Sequence, residues 1–258
     1  MMTEEPFNNA HEVNMNDDLA NIQFKPIWKY KYAQYFQETQ YNGKTLSEDE
    51  RKKFVTVIDE TVAQFSEGFP HLQDMKKEAE QFTDNYREIG LTFASVSHFV
   101  LMTMIDCMVA SKYFILADKD YEKRFMRGKL RVILNEGFKR LYGFDEKTHN
   151  KSEWDRLLPL LRYFPEEINL QYQDLTFHLE KHARSSSWWR EERNLETHLD
   201  AEKLYESRQE EIIESKVMMD SMKLYDTLQA VNLFLFNMHT CIYNYWVKNY
   251  HERKLANQ

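Results

Sequence analysis

With 258 residues the chain is long enough for one large domain or two small ones around a packed interior. Hydrophobic residues make up 42% of it and aromatics 14%, which excludes an intrinsically disordered protein, and only six Gly and five Pro leave few tight turns, as in a helical chain. A formal net charge of −8 excludes a generic nucleic-acid coat protein but leaves room for a local basic groove.

Residues 1–23 are rich in Asn, Asp and Glu without a period and read as a loosely attached arm. The first twenty lack an apolar stretch, so no export signal is read there. Cys107 and Cys241 each lie in an apolar helical stretch, so buried free thiols and a cytoplasmic location are expected. Residues 24–46 gather Phe24, Trp28, Tyr30, Tyr32, Tyr35, Phe36 and Tyr41 ahead of an Asn42-Gly43 turn signal. A hairpin or an aromatic-faced helix both fit, with the rings packing on a core. The arm and aromatic segment thus occupy 1–46, and a helical bundle 47–258.

Ser47 with Glu50 forms a capping box, predicting a helix to about Phe65 with Phe54, Ile58, Val62 and Phe65 on one face. Gly68 and Pro70 break it, and a second helix is expected from His71 to Ile89, with Gly90 as its stop. The apolar run Leu91–Ala117 is interrupted by His98, Asp106 and Lys112 and falls short of the roughly 20 clean residues a bilayer span needs. It reads as a core helix over 92–117, apolar nearly all round and contacted on most sides, with His98 and Asp106 hydrogen-bonded inside it and no membrane partner.

From Asp118 to Leu141 the chain turns basic, with Lys119, Lys123, Arg124, Arg127, Lys129, Arg131, Lys139 and Arg140 around an inner face of Met126, Leu130, Ile133 and Phe138. Such a run is either a solvated helix face or a wall that tracks phosphates. After a polar link over 143–151, Ser152 starts a helix with Trp154, Leu157, Leu158 and Leu161 inward and a kink at Pro159. Pro165, Glu166 and Glu167 open the next, which runs to about Arg184. It carries Asp174, His178 and His182 at four-residue steps, but no HExxH or Glu-x-x-His pattern accompanies them, so no metal or other cofactor is expected. The last helix, roughly 202–253, has a seam of Ile213, Val217, Leu224, Leu228, Val231, Leu235, Met238, Ile242 and Tyr245, widened by Phe234 and Cys241. About fifty residues make roughly 75 Å of helix, longer than a compact domain is wide, which leaves length for a second copy of the chain. The fold class is therefore all-α, a multi-helix bundle with a long C-terminal helix.

Chemistry concentrates just before that helix, at Arg193, Asn194 and His198. Arginine offers a fixed fork of donors that fits phosphate, and histidine can take up and give back a proton near neutral pH. Five residues span a little over one helical turn, so the two side chains can lie on neighbouring faces, and Asn194 can bond a phosphate or cap the turn. No other arginine in the chain has a histidine at that distance. Such a set can bind a phosphodiester and move its protons without a metal, and His182, Arg184 and Arg190 lie upstream as candidate substrate-binding residues of a positive groove.

The pattern of arginine, asparagine, three residues and histidine resembles the signature of the HEPN superfamily, the higher-eukaryote and prokaryote nucleotide-binding domain. The resemblance covers the motif and the helical layout of the C-terminal half, roughly 91–255. It implies a metal-independent endoribonuclease acting through the RNA 2′-hydroxyl, with Arg193 as phosphate and transition-state binder, Asn194 as polar helper and His198 as proton-transfer group. It also implies a homodimer that brings two motifs together across a groove, and, among bacterial members, toxins and phage-defence effectors with an antitoxin or regulatory protein as partner. The alternative is a non-catalytic helical module that binds a nucleotide or a protein.

Overall fold

The computed structural model describes residues 15, 24, 46–82, 85–185 and 212–256. Among these there is no strand; the chain is an all-α, multi-helix bundle with a long C-terminal helix. In chain order the elements are α1 (Glu48–Ser66), α2 (Gly68–Glu80), α3 (Asn85–Leu116), α4 (Asp120–Leu141), α5 (Glu146–His149), a 3-10 helix (Asp155–Tyr163), α6 (Glu166–Ser185) and α7 (Glu214–Ala256).

The bundle is built around α3. Its apolar residues run nearly all round it, so it can satisfy them only by being surrounded. It packs on α1, α2, α4 and α7 and buries residues from Tyr86 to Ile115. By length and composition this helix could cross a membrane, but four neighbouring helices cover it, which is the position of a core helix. His98 and Asp106 depart from expectation, for both fall on the exposed stripe of α3. His98 instead rests against the Phe69 ring at 5.0 Å.

The expected stop at Gly90 is also corrected. Helix α2 ends at Glu80, and α3 begins at Asn85 and continues through Gly90. A Cβ on Gly90 would lie 2.6 Å from the Ala79 Cβ, so glycine here lets α2 and α3 approach closely rather than ending a helix. The capping box that starts α1 is present as read: the Ser47 hydroxyl accepts from the Glu50 amide, and the Glu50 carboxylate accepts from the Ser47 amide at 2.7 Å. On α1 only Ile58 is fully buried; Phe54, Val62 and Phe65 lie half-buried against the core.

Ahead of α6 the expected kinked α-helix is a 3-10 helix that contains Pro159. Its period of three puts Trp154, Leu157, Leu160 and Tyr163 on one buried line and turns Leu158 outward, 53% exposed. Leu160 thus takes the place expected of Leu158, and Leu161 is buried as read. Trp154 stacks on Tyr172 of α6 at 4.5 Å and donates its indole N–H to the Thr176 hydroxyl at 2.9 Å. The turn before it needs Gly143, whose φ of +91° other residues seldom adopt.

The seam read along the last helix lies in the core: Leu224, Leu228, Val231, Leu235, Met238 and Ile242 are buried, with Phe234 and Cys241 beside them. Val217 and Tyr245 pack half-buried at its edges, whereas Ile213 precedes α7 and is exposed. Residues 202–211 of the expected helix lie outside the described residues. In the arm, Met15 is buried and its amide donates to the Tyr163 carbonyl at 3.1 Å. Phe24 packs half-buried on the core; the other aromatic residues of that segment lie outside the described residues. Both cysteines are free and buried, and burial pushes each thiol up to about 12.

Candidate functional site

Arg193, Asn194, His198 and Arg190 lie outside the described residues. The helices that bracket them do not. Helix α6 ends at Ser185, α7 begins at Glu214, and the two helices pack on one another.

The two upstream residues sit on the last turn of α6 but face different surroundings. His182 points into the bundle, with Nδ1 3.1 Å from the Thr227 hydroxyl and its ring stacked on Phe138 at 4.5 Å. Burial, reinforced by the charge of Lys223, lowers its pKa to about 4, so this imidazole is neutral at pH 7. Arg184 is exposed and pairs with Glu180 one turn back. A pair in water is weak, so that contact leaves the guanidinium available to an anion. His178 and Asp174 lie 3.9 Å apart on the outside of α6. Among the described residues no group of three His, Cys, Asp or Glu side chains is placed to hold an ion.

The basic run has become helix α4, and it divides: Lys119, Lys129 and Arg140 are exposed, as a solvated face requires, whereas other members turn inward. Arg127 and Arg131 are buried, and Lys123 and Arg140 are committed to carboxylates that are themselves buried. Arg140 and Arg156 converge on Glu153, with Arg140 at 3.1 Å and also over the Phe99 ring.

Lys123 belongs to a second cluster that sequence reading missed, at the point where the chain returns from the motif. Glu214, the first residue of α7, accepts from Lys123 of α4, from Arg51 of α1 at 2.9 Å and from the Leu46 amide at 3.3 Å. Burial alone would raise its pKa, but the hydrogen bond from Lys123, the Arg51 charge and the Leu46 amide outweigh burial and hold the carboxyl below its ordinary range. Arg51 also donates to the Ile115 carbonyl at 2.6 Å, closing the C-terminal end of α3. One carboxylate thus fixes the entrance of α7 to three other parts of the bundle. Nothing in the sequence signals this, because the partners stand 91 to 168 residues away.

Between α2, α3 and α7 the bundle leaves a cavity of about 520 Å³. His71, Asp74 and Glu78 reach it from α2, Phe93 from α3, and His239 from α7. Only the packing of three separate helices brings these residues to a common space. No protein-family model, curated protein or solved structure matches the chain.

Proposed function

We propose that the protein is a metal-independent endoribonuclease of the toxin or phage-defence type. The observation that carries the reading is the Arg193, Asn194 and His198 pattern, standing between the last two long helices of an all-α chain. The RNA 2′-hydroxyl attacks the adjacent phosphorus, the bond to the 5′-oxygen breaks, and the products are a 2′,3′-cyclic phosphate and a 5′-hydroxyl. His198 takes the proton from the attacking oxygen or supplies one to the leaving oxygen, and Arg193 holds the non-bridging oxygens as their charge builds. Asn194 orients the phosphate. One histidine cannot perform both transfers in the same step, so a homodimer in which the second copy's motif supplies the other is part of the reading. Partners are RNA and, as a regulator, an antitoxin-like protein.

Wild type, Arg193→Ala and His198→Ala are to be assayed on single-stranded and structured RNA with excess chelator. Each variant should lose about two to four orders of magnitude in cleavage rate while its helical content is unchanged. Equal cleavage by all three removes the enzyme reading and leaves a helical module that binds without chemistry.

A further inference from the structure

Helix α6 has two unlike faces. Ile168, Leu175 and Leu179 are buried on the side by which it joins the bundle. On the opposite side Leu170 and Phe177 are 55% and 63% exposed. At about 3.6 residues per turn their spacing puts them on one line, and the exposed Glu166, Asp174 and Lys181 fall on the same stripe. An acid near the start and a base near the end suit the helix dipole. Water gives the leucine and the phenylalanine between them no such return.

The stripe complements itself when read backwards. A second α6 can be laid antiparallel to the first, about a twofold axis midway between Leu170 and Phe177. Leu170 then lies level with Phe177 of the second copy, each about 5 Å along the helix from the axis at a rise of about 1.5 Å per residue. The same axis sets Glu166 level with Lys181, each about 11 Å away, and Gln173 level with Asp174. Apolar meets apolar, carboxylate meets ammonium and amide meets carboxylate in one register. A parallel pair would instead set Glu166 beside Glu166 and Lys181 beside Lys181. Opposed helix dipoles favour the antiparallel direction as well.

We propose that the outer face of α6 is the surface through which two copies of this chain pair, antiparallel and about that axis. The occupant is a second copy because a self-complementary patch is what a twofold interface requires. One helix face is small beside the roughly 800 Å² per partner of a standard interface, so the dimer forms and dissociates with concentration. Within the stripe Asp174 opposes pairing, since its two copies come within one residue of each other at the axis and like charges repel. The proposal names a surface for the dimer of the RNA-cleavage reading, although its support is α6 alone. Arg193→Ala and His198→Ala should pair as the wild type does, so a failure of cleavage and a failure of pairing are read apart.

The test is sedimentation equilibrium of the whole chain from about 1 to 100 µM. The wild type should pass from monomer toward dimer across that range. Phe177→Ser alters an exposed site, so far-ultraviolet circular dichroism should be unchanged while pairing weakens about tenfold or more. Glu166→Lys and Lys181→Glu should each weaken pairing about tenfold, because each sets like charges level at both ends of the seam. An equimolar mixture of those two variants should pair as the wild type does, since each copy then carries the charge the other lacks. Asp174→Asn should tighten pairing, and a weaker dimer there overturns the register. A chain that stays monomeric throughout overturns the proposal, for the stripe then faces solvent or a different protein. A dimer indifferent to these substitutions, or a mixture no better than its components, also overturns it, because pairing then runs through another surface.

Discussion

A methyl group at position 90 would meet Ala79 at 2.6 Å, and two effects compete there. Alanine gains about 1 kcal/mol over glycine in a helix interior, whereas forcing an extra carbon into a packed contact costs about 1–3 kcal/mol. Gly90→Ala is therefore expected to be net destabilising by about 1 kcal/mol, measured by urea unfolding, and a gain in stability would contradict the close α2–α3 contact. His182 provides a second test at this scale. Its pKa is about 4 in the folded chain against 6.5 as the ordinary value, so between those limits the unfolded chain binds the proton more readily. Its contribution is complete above pH 6.5 and declines as pH falls toward 4, by roughly 3 kcal/mol in full. His239 is shifted the same way, also first by burial. Chemical unfolding at pH 7 and pH 5 should thus show a marked loss at the lower pH, and His182→Gln should reduce that loss without abolishing it. An unchanged difference in the variant would contradict the buried, neutral His182.

Helix α7 is anchored at its first residue by contacts outside the apolar core. Glu214 joins its first turn to α1 and α4, and removing one partner from a buried ion cluster strands the other charges. Glu214→Ala is expected to cost about 3–5 kcal/mol in unfolding free energy, and a cost below 1 kcal/mol would mean that the cluster does not hold α7 in solution. The folded pKa of Glu214 is depressed below 4.5, so its stabilisation is present above that value and is lost as pH falls through the folded pKa. Local patterns in the chain show through in α1, α4, α6 and α7: Ser47 and Glu50 mark a start, Pro165 opens α6, and the Leu224 to Ile242 spacing carries α7. The features that escape such patterns are tertiary. Gly90 looks like a stop because its reason, Ala79, is on another helix. Leu158 and Leu160 exchange roles because a period of three is too close to 3.6 to distinguish over nine residues. Arg127 and Arg131 look like solvent-facing charges because their depth in the bundle is set by where α4 lands.

Among the described residues, the molecule wraps its most apolar helix in four others, α1, α2, α4 and α7. The proposed cleavage motif was legible because arginine, asparagine and histidine lie within six residues of one another. The cavity was not legible, because Asp74, Phe93 and His239 come from three helices that only the fold brings together. The central claim is that the guanidinium and imidazole of one short segment break RNA through its own sugar hydroxyl. The most direct measurement follows a defined RNA and the same RNA carrying a single 2′-deoxy nucleotide at the cleaved position, each incubated with wild type and His198→Ala in excess chelator. Cleavage of the RNA by wild type to a 2′,3′-cyclic phosphate end, with the deoxy substrate and the variant both inert, is the predicted result. Cleavage of the deoxy substrate at the same position, or undiminished cleavage by His198→Ala, would contradict it.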